Sequence, residues 1–392
     1  MSAAPAAVGP APGGRPTISR TAAGEAAARA LTRFELPAAL SASEPPEARG
    51  LTRDGVRLLA ATPDGVRHAR FANLVEFLRP GDLVVVNTSA TLPAAVDGRR
   101  DRGRATTVHF STALDDGSWI VELRAPSPVR AAGQPGLVPD AASELRASGP
   151  ARDAVAGERI ALPGGVTVTL LAGHPDGGPV SGRLWRAAVG GDVRRLMNTH
   201  GRPIAYDYVP RRWPLSAYQT VFGIHPGSAE LPSAGRPFTT ELLTKLVAAG
   251  VVVAPVTLHT GVSSLEKHEP PLAEPYEVPA STARLVNATR QAGGRVIAVG
   301  TTVTRALETV AGEDGTVTPG AGWTELVLSG RRPARVVDGL VTGWHEPGAS
   351  HLLLLEAVAG AELVGAAYRE AVRERYLWHE FGDSCLLTRE WR

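Results

Sequence analysis

The chain has 392 residues, of which 43% are hydrophobic and 20% are charged, so it is long enough for two domains and apolar enough to bury sizeable cores. Its 41 basic and 39 acidic residues leave a formal net charge of +2, so global charge gives no argument for a nucleic-acid partner. The single cysteine, Cys385, excludes an internal disulfide and a cysteine-based zinc site, and no apolar run approaches the roughly 20 residues of a membrane span.

The first 29 residues are rich in alanine, proline and glycine and contain no continuous apolar core. They therefore do not resemble a signal peptide, and we expect a disordered leader. One cysteine also fits a reducing compartment, so the sequence predicts a cytoplasmic protein without a membrane partner.

Folding is expected to begin near residue 30, with strands over residues 56–61 and 83–86 and a short helix over 71–77 between them. Asn87 follows the second strand, which is apolar throughout and so typical of a strand buried on both faces. Its amide can contact a ligand there or can close an Asx-turn, and both interpretations stay open.

The pattern changes over residues 97–193, where short alternating segments are separated by Gly, Pro and Asp turns. These segments are residues 106–110, 119–124, 159–162, 166–171 and 183–188. Strands at this spacing predict a small antiparallel β-barrel. Because α/β patterns flank it, we expect an α/β domain of residues 30–96 and 194–392, with a mixed sheet and helices, interrupted by an inserted barrel over 97–193.

The α/β pattern then resumes after an aromatic and basic segment, residues 204–214. Further elements are expected at residues 240–249 (helix), 251–257 (strand), 281–292 (helix), 295–299 (strand), 303–310 (helix), 340–342 (strand), 351–359 (helix) and 366–375 (helix).

Residues 294–308 carry the clearest local signal for a ligand site. Gly300 ends a buried strand, Thr301 and Thr302 offer N-cap hydroxyls, and the helix that follows has Arg305 and Glu308 on its polar side. The N–H groups at such a helix start face the carboxyl end of the sheet, where open α/β folds bind ligands. An ordinary strand-to-helix connection fits this stretch equally well.

Two histidines, His259 and His345, end predicted strands, while Glu274 lies in a predicted loop and Asp383 near the C-terminus. A histidine and a carboxylate that converge on a cleft can transfer protons. No HxxxH or HxH spacing supports a metal site, and neither a GxGxxG nor a P-loop motif is present.

A set of motifs in fixed order resembles the S-adenosylmethionine:tRNA ribosyltransferase-isomerases of queuosine biosynthesis. The resemblance extends from about Phe34 to Leu387. Its motifs are Phe34-Glu35-Leu36-Pro37, residues 79–87, Tyr218-Gln219-Thr220-Val221, Gly227-Ser228, Pro232-Ser233-Ala234-Gly235 with Phe238-Thr239, Val256-Thr257-Leu258-His259, residues 295–302, Thr342 with His345 and Pro347, Tyr376, and Phe381-Gly382-Asp383.

The resemblance implies an α/β domain interrupted by a β-barrel, with S-adenosylmethionine as co-substrate and no metal. It also implies transfer of the ribosyl moiety to 7-aminomethyl-7-deazaguanine in tRNA, giving epoxyqueuosine and releasing adenine and methionine. Glu274 or His259 is then the expected base and His345 the donor to adenine. The expected co-substrate-binding residues are Asn87, Tyr218, Gln219, Ser228, Ala234, Gly235, Phe238, Gly300, Thr301, Thr302, Arg305 and Asp383.

Several family residues are missing. Asn87-Thr88-Ser89-Ala90 stands where the family has Asn-Asp-Thr-Arg, and Arg236-Pro237 stands where it has Leu-His. A further histidine, a second arginine and a lysine are also lost. Because basic residues dominate affinity for phosphates, two alternatives stay open. One is a diverged paralogue that uses S-adenosylmethionine with a small-molecule acceptor, and the other is a non-catalytic RNA-binding protein.

Overall fold

The computed structural model describes residues 29–127, 146–175, 177, 182–262 and 271–389. The predicted disordered leader lies outside the described residues, apart from Arg29.

A mixed nine-stranded sheet forms the larger part of the fold. In spatial order its strands are β16 (Gly320–Thr324), β14 (Glu274–Val278), β13 (Val252–Leu258), β3 (Leu83–Asn87), β15 (Val296–Val299), β17 (Gly339–Thr342), β18 (Ser384–Thr388), β1 (Arg57–Thr62) and β2 (Gly65–Arg70). The four strands β13, β3, β15 and β17 are parallel, so their carboxyl ends lie together at one edge. The predicted mixed α/β sheet is confirmed.

Both faces of this sheet are buried, which explains the continuous apolar runs. In β3, Leu83 and Val85 pack into one core, while Val84 and Val86 pack into another on the opposite face. The described α-helices are α1 (Val193–His200), α2 (Thr240–Ala248), α3 (Ala280–Gln291), α4 (Thr301–Thr309), α5 (His351–Ala359) and α6 (Ala361–Arg373). Helices α3 to α6 cover the first face, and α2 with the 3-10 helix Phe71–Phe77 covers the second.

Among the described residues, no single helix is both long and apolar enough to cross a membrane. Helices α5 and α6 together reach the required length and apolarity, but the chain bends by 119° between them. Their apolar side chains pack in the core of the sheet.

The second sheet is a small antiparallel barrel. Its strands are β5 (Ala95–Arg100), β6 (Ala105–Ala113), β7 (Trp119–Ser127), β8 (Arg146–Pro150), β9 (Arg159–Ala161), β10 (Thr167–His174) and β11 (Leu184–Gly190). A pairing between β11 and β7 closes six of them, and β8 extends β7. The predicted barrel is therefore confirmed. A two-stranded ribbon of β4 (Ser89–Thr91) and β12 (His225–Ser228) lies beside β3 and β13.

The barrel strands begin at Ala95, and α1 packs into the barrel core through Val193, Leu196 and Met197. The structural unit that includes the barrel is thus slightly longer than residues 97–193. The division into two domains stays a prediction.

Helix α4 differs from expectation in two ways. Gly300, with φ of 92°, is its N-cap, and Thr301 is already the first helical residue, so neither threonine hydroxyl caps the helix. Arg305 and Glu308, expected on a polar face, are both buried. The predicted hydroxyl caps were wrong because Gly300 occupies the N-cap position. The polar side is buried because the flanking loops contact Arg305 and Glu308.

Glu308 orders one of those loops. Its carboxylate accepts hydrogen bonds from the backbone N–H groups of Arg335, Val336 and Val337 at 2.9–3.0 Å. A carboxylate is the side chain best suited to three converging donors, since it has only acceptor sites.

Replacing Glu308 by Gln should lower the free energy of unfolding by about 2 kcal/mol, because an amide supplies two donors where the loop needs acceptors. Urea denaturation measures this loss. The control is Glu313→Gln, whose side chain is 95% exposed. Equal stability of the two variants would contradict the role given to Glu308.

Candidate functional site

A cavity of about 280 Å³ lies at the carboxyl ends of β15 and β17. Val299, Gly300, Thr301 and Thr302 line one side of it, and Thr342 lies beside them. The first N–H groups of α4 have no acceptor within the helix, so they present partial positive charge at this edge. The cavity thus occupies the position at which open α/β sheets bind ligands.

Gly300 allows this geometry. Its φ of 92° lies in the region that side chains rarely adopt, and its N–H donates to the Val341 carbonyl at 2.8 Å. A Cβ atom there would lie 3.3 Å from that of Ala234, which also lines the cavity.

A buried ion pair between Arg305 and Glu274 forms part of the wall. The guanidinium also donates to the carbonyls of Leu272 and Thr324, at 3.0 Å each, and of Leu326, at 3.2 Å. Four of its five N–H groups are therefore engaged within the protein. Arg305 fixes Glu274 in place rather than offering a free charge to a ligand.

Glu274 is the first residue of β14, so its predicted place in a loop was wrong. One carboxylate oxygen pairs with Arg305, and the other accepts the Gly261 N–H at 3.0 Å. Burial raises the pKa of Glu274, with Arg305 acting in the opposite direction. An oriented carboxylate with a raised pKa in a cavity can act as a base.

His345 also lines the cavity, with Nε2 3.2 Å from the Thr342 hydroxyl. Its ring stacks on that of His351, with centroids 4.4 Å apart and planes 1° from parallel. Burial lowers the pKa of both rings, well below the usual range for His345 and to about 4 for His351. Both are neutral near pH 7 and can exchange hydrogen bonds there.

His259 lies behind the cavity rather than in its wall. Its Nδ1 is 2.7 Å from the Ser89 hydroxyl, and burial lowers its pKa to about 4. Gly227 packs so closely that a Cβ there would lie 2.3 Å from Nδ1. Of the two predicted bases, Glu274 therefore lines the cavity and His259 does not.

Three further residues predicted to contact the co-substrate form hydrogen bonds to the protein backbone. The Asn87 amide bonds both the N–H and the carbonyl of Leu258 and reaches Thr302 at 3.3 Å. Ser228 accepts the Thr260 N–H at 3.0 Å, and Gln219 pairs with the backbone of Thr91. Through this contact Asn87 reaches Thr302, a residue of the cavity wall.

The remaining predicted residues, Gly235, Tyr218, Phe238 and Asp383, lie outside the cavity wall. Phe238 is fully buried against Phe71, and Tyr218 packs on Phe381, each with ring centroids 5.1 Å apart. The structure places neither ring where it can stack on a ligand in this cavity.

Asp383 acts within the fold. Its two carboxylate oxygens accept the N–H groups of Arg57 and Leu377, each at 2.8 Å. This arrangement connects the C-terminal strand region to β1.

The sequence did not indicate five side chains of the opposite wall, which are Tyr206, Tyr208, Glu230, His379 and Glu380. Tyr206 donates its hydroxyl hydrogen to Glu230, and Tyr208 stacks on His379 with centroids 4.1 Å apart. The aromatic segment 204–214 was the available signal for the tyrosines. For the two glutamates the available signal was proximity to motifs, since Glu230 lies between Gly227-Ser228 and Pro232, and Glu380 directly precedes Phe381.

Glu380 is the member of this wall with an unpartnered carboxyl oxygen. Its Oε2 atom is buried and has no hydrogen-bond partner among the described residues. Burial, reinforced by the charge of Glu230, raises the pKa of Glu380 to about 8.

The cavity wall as described favours a cation. Beyond the ion pair of Glu274 with Arg305, its described residues include three more carboxyl groups, those of Glu230, Glu346 and Glu380, and no other arginine or lysine. Burial also lowers the pKa of His379 to about 4, so the histidines add no positive charge at neutral pH. Nowhere in the described chain do three His, Cys, Asp or Glu side chains form a group suited to a metal ion.

The chain matches known proteins over nearly its whole described length. Residues 30–387 match the family model of queuosine biosynthesis proteins. The S-adenosylmethionine:tRNA ribosyltransferase-isomerase of Symbiobacterium thermophilum is 35% identical over 368 residues, which cover 90% of this chain and 98% of that protein. The enzyme of the same name from Acidiphilium cryptum is 36% identical over 372 residues, covering 91% and 98%. A crystal structure of S-adenosylmethionine tRNA ribosyltransferase from Thermotoga maritima is 28% identical, with a TM-score of 0.47 and coverage of 90% and 98%.

The raised pKa of Glu380 should make stability depend on pH. An unfolded glutamate ionises near its ordinary pKa of 4.5 whereas the folded one holds its proton to about 8, so stability falls as pH rises between these values. Glu380→Gln removes the titrating group. Relative to this variant, the unmodified protein should lose about 4 kcal/mol from pH 4 to 8.5, measured by urea denaturation. Parallel stability curves would contradict the assignment.

Proposed function

The chain belongs to the family of queuosine biosynthesis proteins, and from this premise we propose that it is an S-adenosylmethionine:tRNA ribosyltransferase-isomerase. It transfers and isomerises the ribosyl moiety of S-adenosylmethionine onto 7-aminomethyl-7-deazaguanine in tRNA, giving epoxyqueuosine, adenine and methionine. The observation that carries the proposal is the family match over residues 30–387, which includes the strands and helix start around the cavity. Its tRNA substrate places the reaction in the cytoplasm.

The cavity suits S-adenosylmethionine in charge. The sulfonium and the α-ammonium group are cationic, and the cavity wall is rich in carboxyl groups. The carboxylate of the methionine moiety fits the N-terminus of α4 at Thr301 and Thr302, where unpaired N–H groups and the helix dipole favour an anion. The volume of about 280 Å³ lies at the lower end of the range for small-molecule sites.

We assign Glu274 as the base. The sulfonium acidifies the C5′ protons, and the Glu274 carboxylate removes one of them. Arg305 and the Gly261 N–H hold this carboxylate in a single orientation, which lowers the entropic cost of the transfer. His259 is the weaker candidate, because Ser89 and Gly227 enclose its Nδ1 side behind the cavity.

The remaining bond changes balance without a metal ion. The acceptor amine forms a C–N bond to the ribosyl skeleton and loses a proton, and the electron pair left at C5′ forms the carbon–carbon bond that closes the carbocycle of epoxyqueuosine. The carbon–sulfur bond to methionine and the glycosidic bond to adenine break, and adenine gains a proton. His345 is neutral near pH 7 and retains one ring N–H, so its proposed role is to donate a hydrogen bond to the departing adenine.

The activity is tested by incubating the protein with S-adenosylmethionine and with tRNA that carries 7-aminomethyl-7-deazaguanine. Adenine and methionine should appear in equal amounts, and only with the modified tRNA, as chromatography can measure. Turnover that is the same with and without tRNA would instead favour a paralogue with a small-molecule acceptor. Binding of tRNA without turnover would favour a non-catalytic RNA-binding protein.

Replacing Glu274 by Gln should lower kcat by about 10²- to 10⁴-fold, the usual contribution of a general base. The amide keeps the size of the side chain but cannot accept the C5′ proton. Circular dichroism and thermal melting check that the variant folds. Glu313→Gln is the matched control, since its side chain is 95% exposed. A folded Glu274→Gln variant with unchanged kcat would exclude Glu274 as the base.

A further inference from the structure

Glu380 has a buried carboxyl oxygen for which the fold supplies no partner. Its Oε2 atom lies among the described residues without a hydrogen bond, and Glu380 forms part of the cavity wall. Leaving such an atom unpaired costs about 1–3 kcal/mol, so a protein rarely retains it without a use.

The surroundings of this oxygen are acidic. Glu230 lies close enough for its charge to act on Glu380, and Tyr206 donates a hydrogen bond to Glu230 rather than to Glu380. Arg236 is the nearby cation that acts on Glu380. However, its guanidinium donates to Glu47 and to the Ala217 carbonyl, so it is held away from the oxygen.

The missing partner must therefore supply both N–H or O–H donors and positive charge. Water supplies donors without charge, and a sulfonium supplies charge without a hydrogen to donate. A metal ion needs more ligands than any group of described side chains offers. A primary ammonium supplies three donors and a full charge, so it satisfies the oxygen and offsets the repulsion between the two carboxyl groups.

We propose that Glu380, with Glu230 beside it, forms a subsite in the cavity for a primary ammonium group of a substrate. This inference rests on the proposed function, in which two substrates carry such a group. One source is the α-ammonium of S-adenosylmethionine, and the other is the aminomethyl group of the acceptor base. Both present the same chemistry to Oε2.

The electrostatic consequence is specific. A bound ammonium favours the charged form of its carboxyl partner, so it draws Glu380 toward ionisation despite burial. Glu380→Gln keeps the shape of the side chain and removes this charge. The subsite is therefore expected to lose affinity for ammonium ligands and to keep its affinity for neutral ones.

The test is isothermal titration calorimetry at pH 7.5 on the full-length protein, the Glu380→Gln variant and the exposed control Glu313→Gln. One set of probes is S-adenosylmethionine, S-adenosylhomocysteine, which lacks the sulfonium charge, and methylthioadenosine, which lacks the ammonium as well. The other set is free 7-aminomethyl-7-deazaguanine and 7-deazaguanine. Thermal melting verifies that each variant is folded.

We expect Glu380→Gln to weaken binding of the ammonium ligand about tenfold or more. If the variant binds S-adenosylmethionine and S-adenosylhomocysteine more weakly but binds methylthioadenosine with unchanged affinity, the subsite holds the α-ammonium. If only the affinity for 7-aminomethyl-7-deazaguanine falls, the subsite holds the acceptor amine. Unchanged affinity for every ammonium probe overturns the inference, as does weakening of S-adenosylmethionine without S-adenosylhomocysteine, because the sulfonium would then be the recognised group.

Turnover is measured separately with the modified tRNA, so the two conclusions are distinguishable. If the unmodified protein turns over and Glu380→Gln does not change ammonium binding, the subsite is contradicted and the proposed enzymatic function stands. If ammonium binding depends on Glu380 but no tRNA is turned over, the subsite is supported and the proposed function is contradicted.

Discussion

The buried ion pair between Arg305 and Glu274 is the interaction on which the cavity depends. Removing two charges from water is costly, and their attraction offsets this cost only when the remaining donors and acceptors are also satisfied. Here the guanidinium reaches the carbonyls of Leu272, Thr324 and Leu326, while Gly261 donates to the carboxylate. The pair therefore joins α4, β14, the end of β16 and two loops around one edge of the sheet. Movement of any of them displaces the proposed base.

This constraint gives the cavity an unusual electrostatic character. Because Arg305 is committed to Glu274, it cannot neutralise Glu230 or Glu380 across the cavity. The histidines of the wall have lowered pKa values through burial, so they too stay uncharged near neutral pH. A site built in this way favours an anion at the N-terminus of α4 and a cation near its unpaired carboxyl groups. S-adenosylmethionine has that distribution of charge, with one carboxylate and two cationic groups.

The sequence predicted the parts of the fold that depend on local periodicity. The apolar run of β3 and the strand–glycine–helix pattern at Gly300 were sufficient to place the cavity edge. Burial of polar groups was not predictable in the same way. Glu308 and Arg305 have helical spacing suited to an exposed face, and only the loops that fold over α4 bury them. Glu380 and Glu230 are distant in sequence, and although each lies beside a motif, only the folded chain brings both into the cavity wall. For Phe238, its motif identified the right segment, but its aromatic partners place the ring in the core rather than in the cavity.

The residues that depart from the family pattern are largely absorbed into the protein interior. Ala90 is buried at the position of a family arginine, and Ser89 beside it holds His259 and Ser228 by hydrogen bonds. Arg236, gained in the segment that lost a histidine, is itself buried and paired with Glu47, so it cannot replace a contact to phosphate. A position that has lost a charged residue can be buried at little cost when a small side chain or an ion-paired side chain occupies it. Burying a carboxyl oxygen without a hydrogen-bond partner is costly. These departures therefore preserve packing around the strand ends, whereas the Oε2 atom of Glu380 remains a buried polar atom without a partner among the described residues.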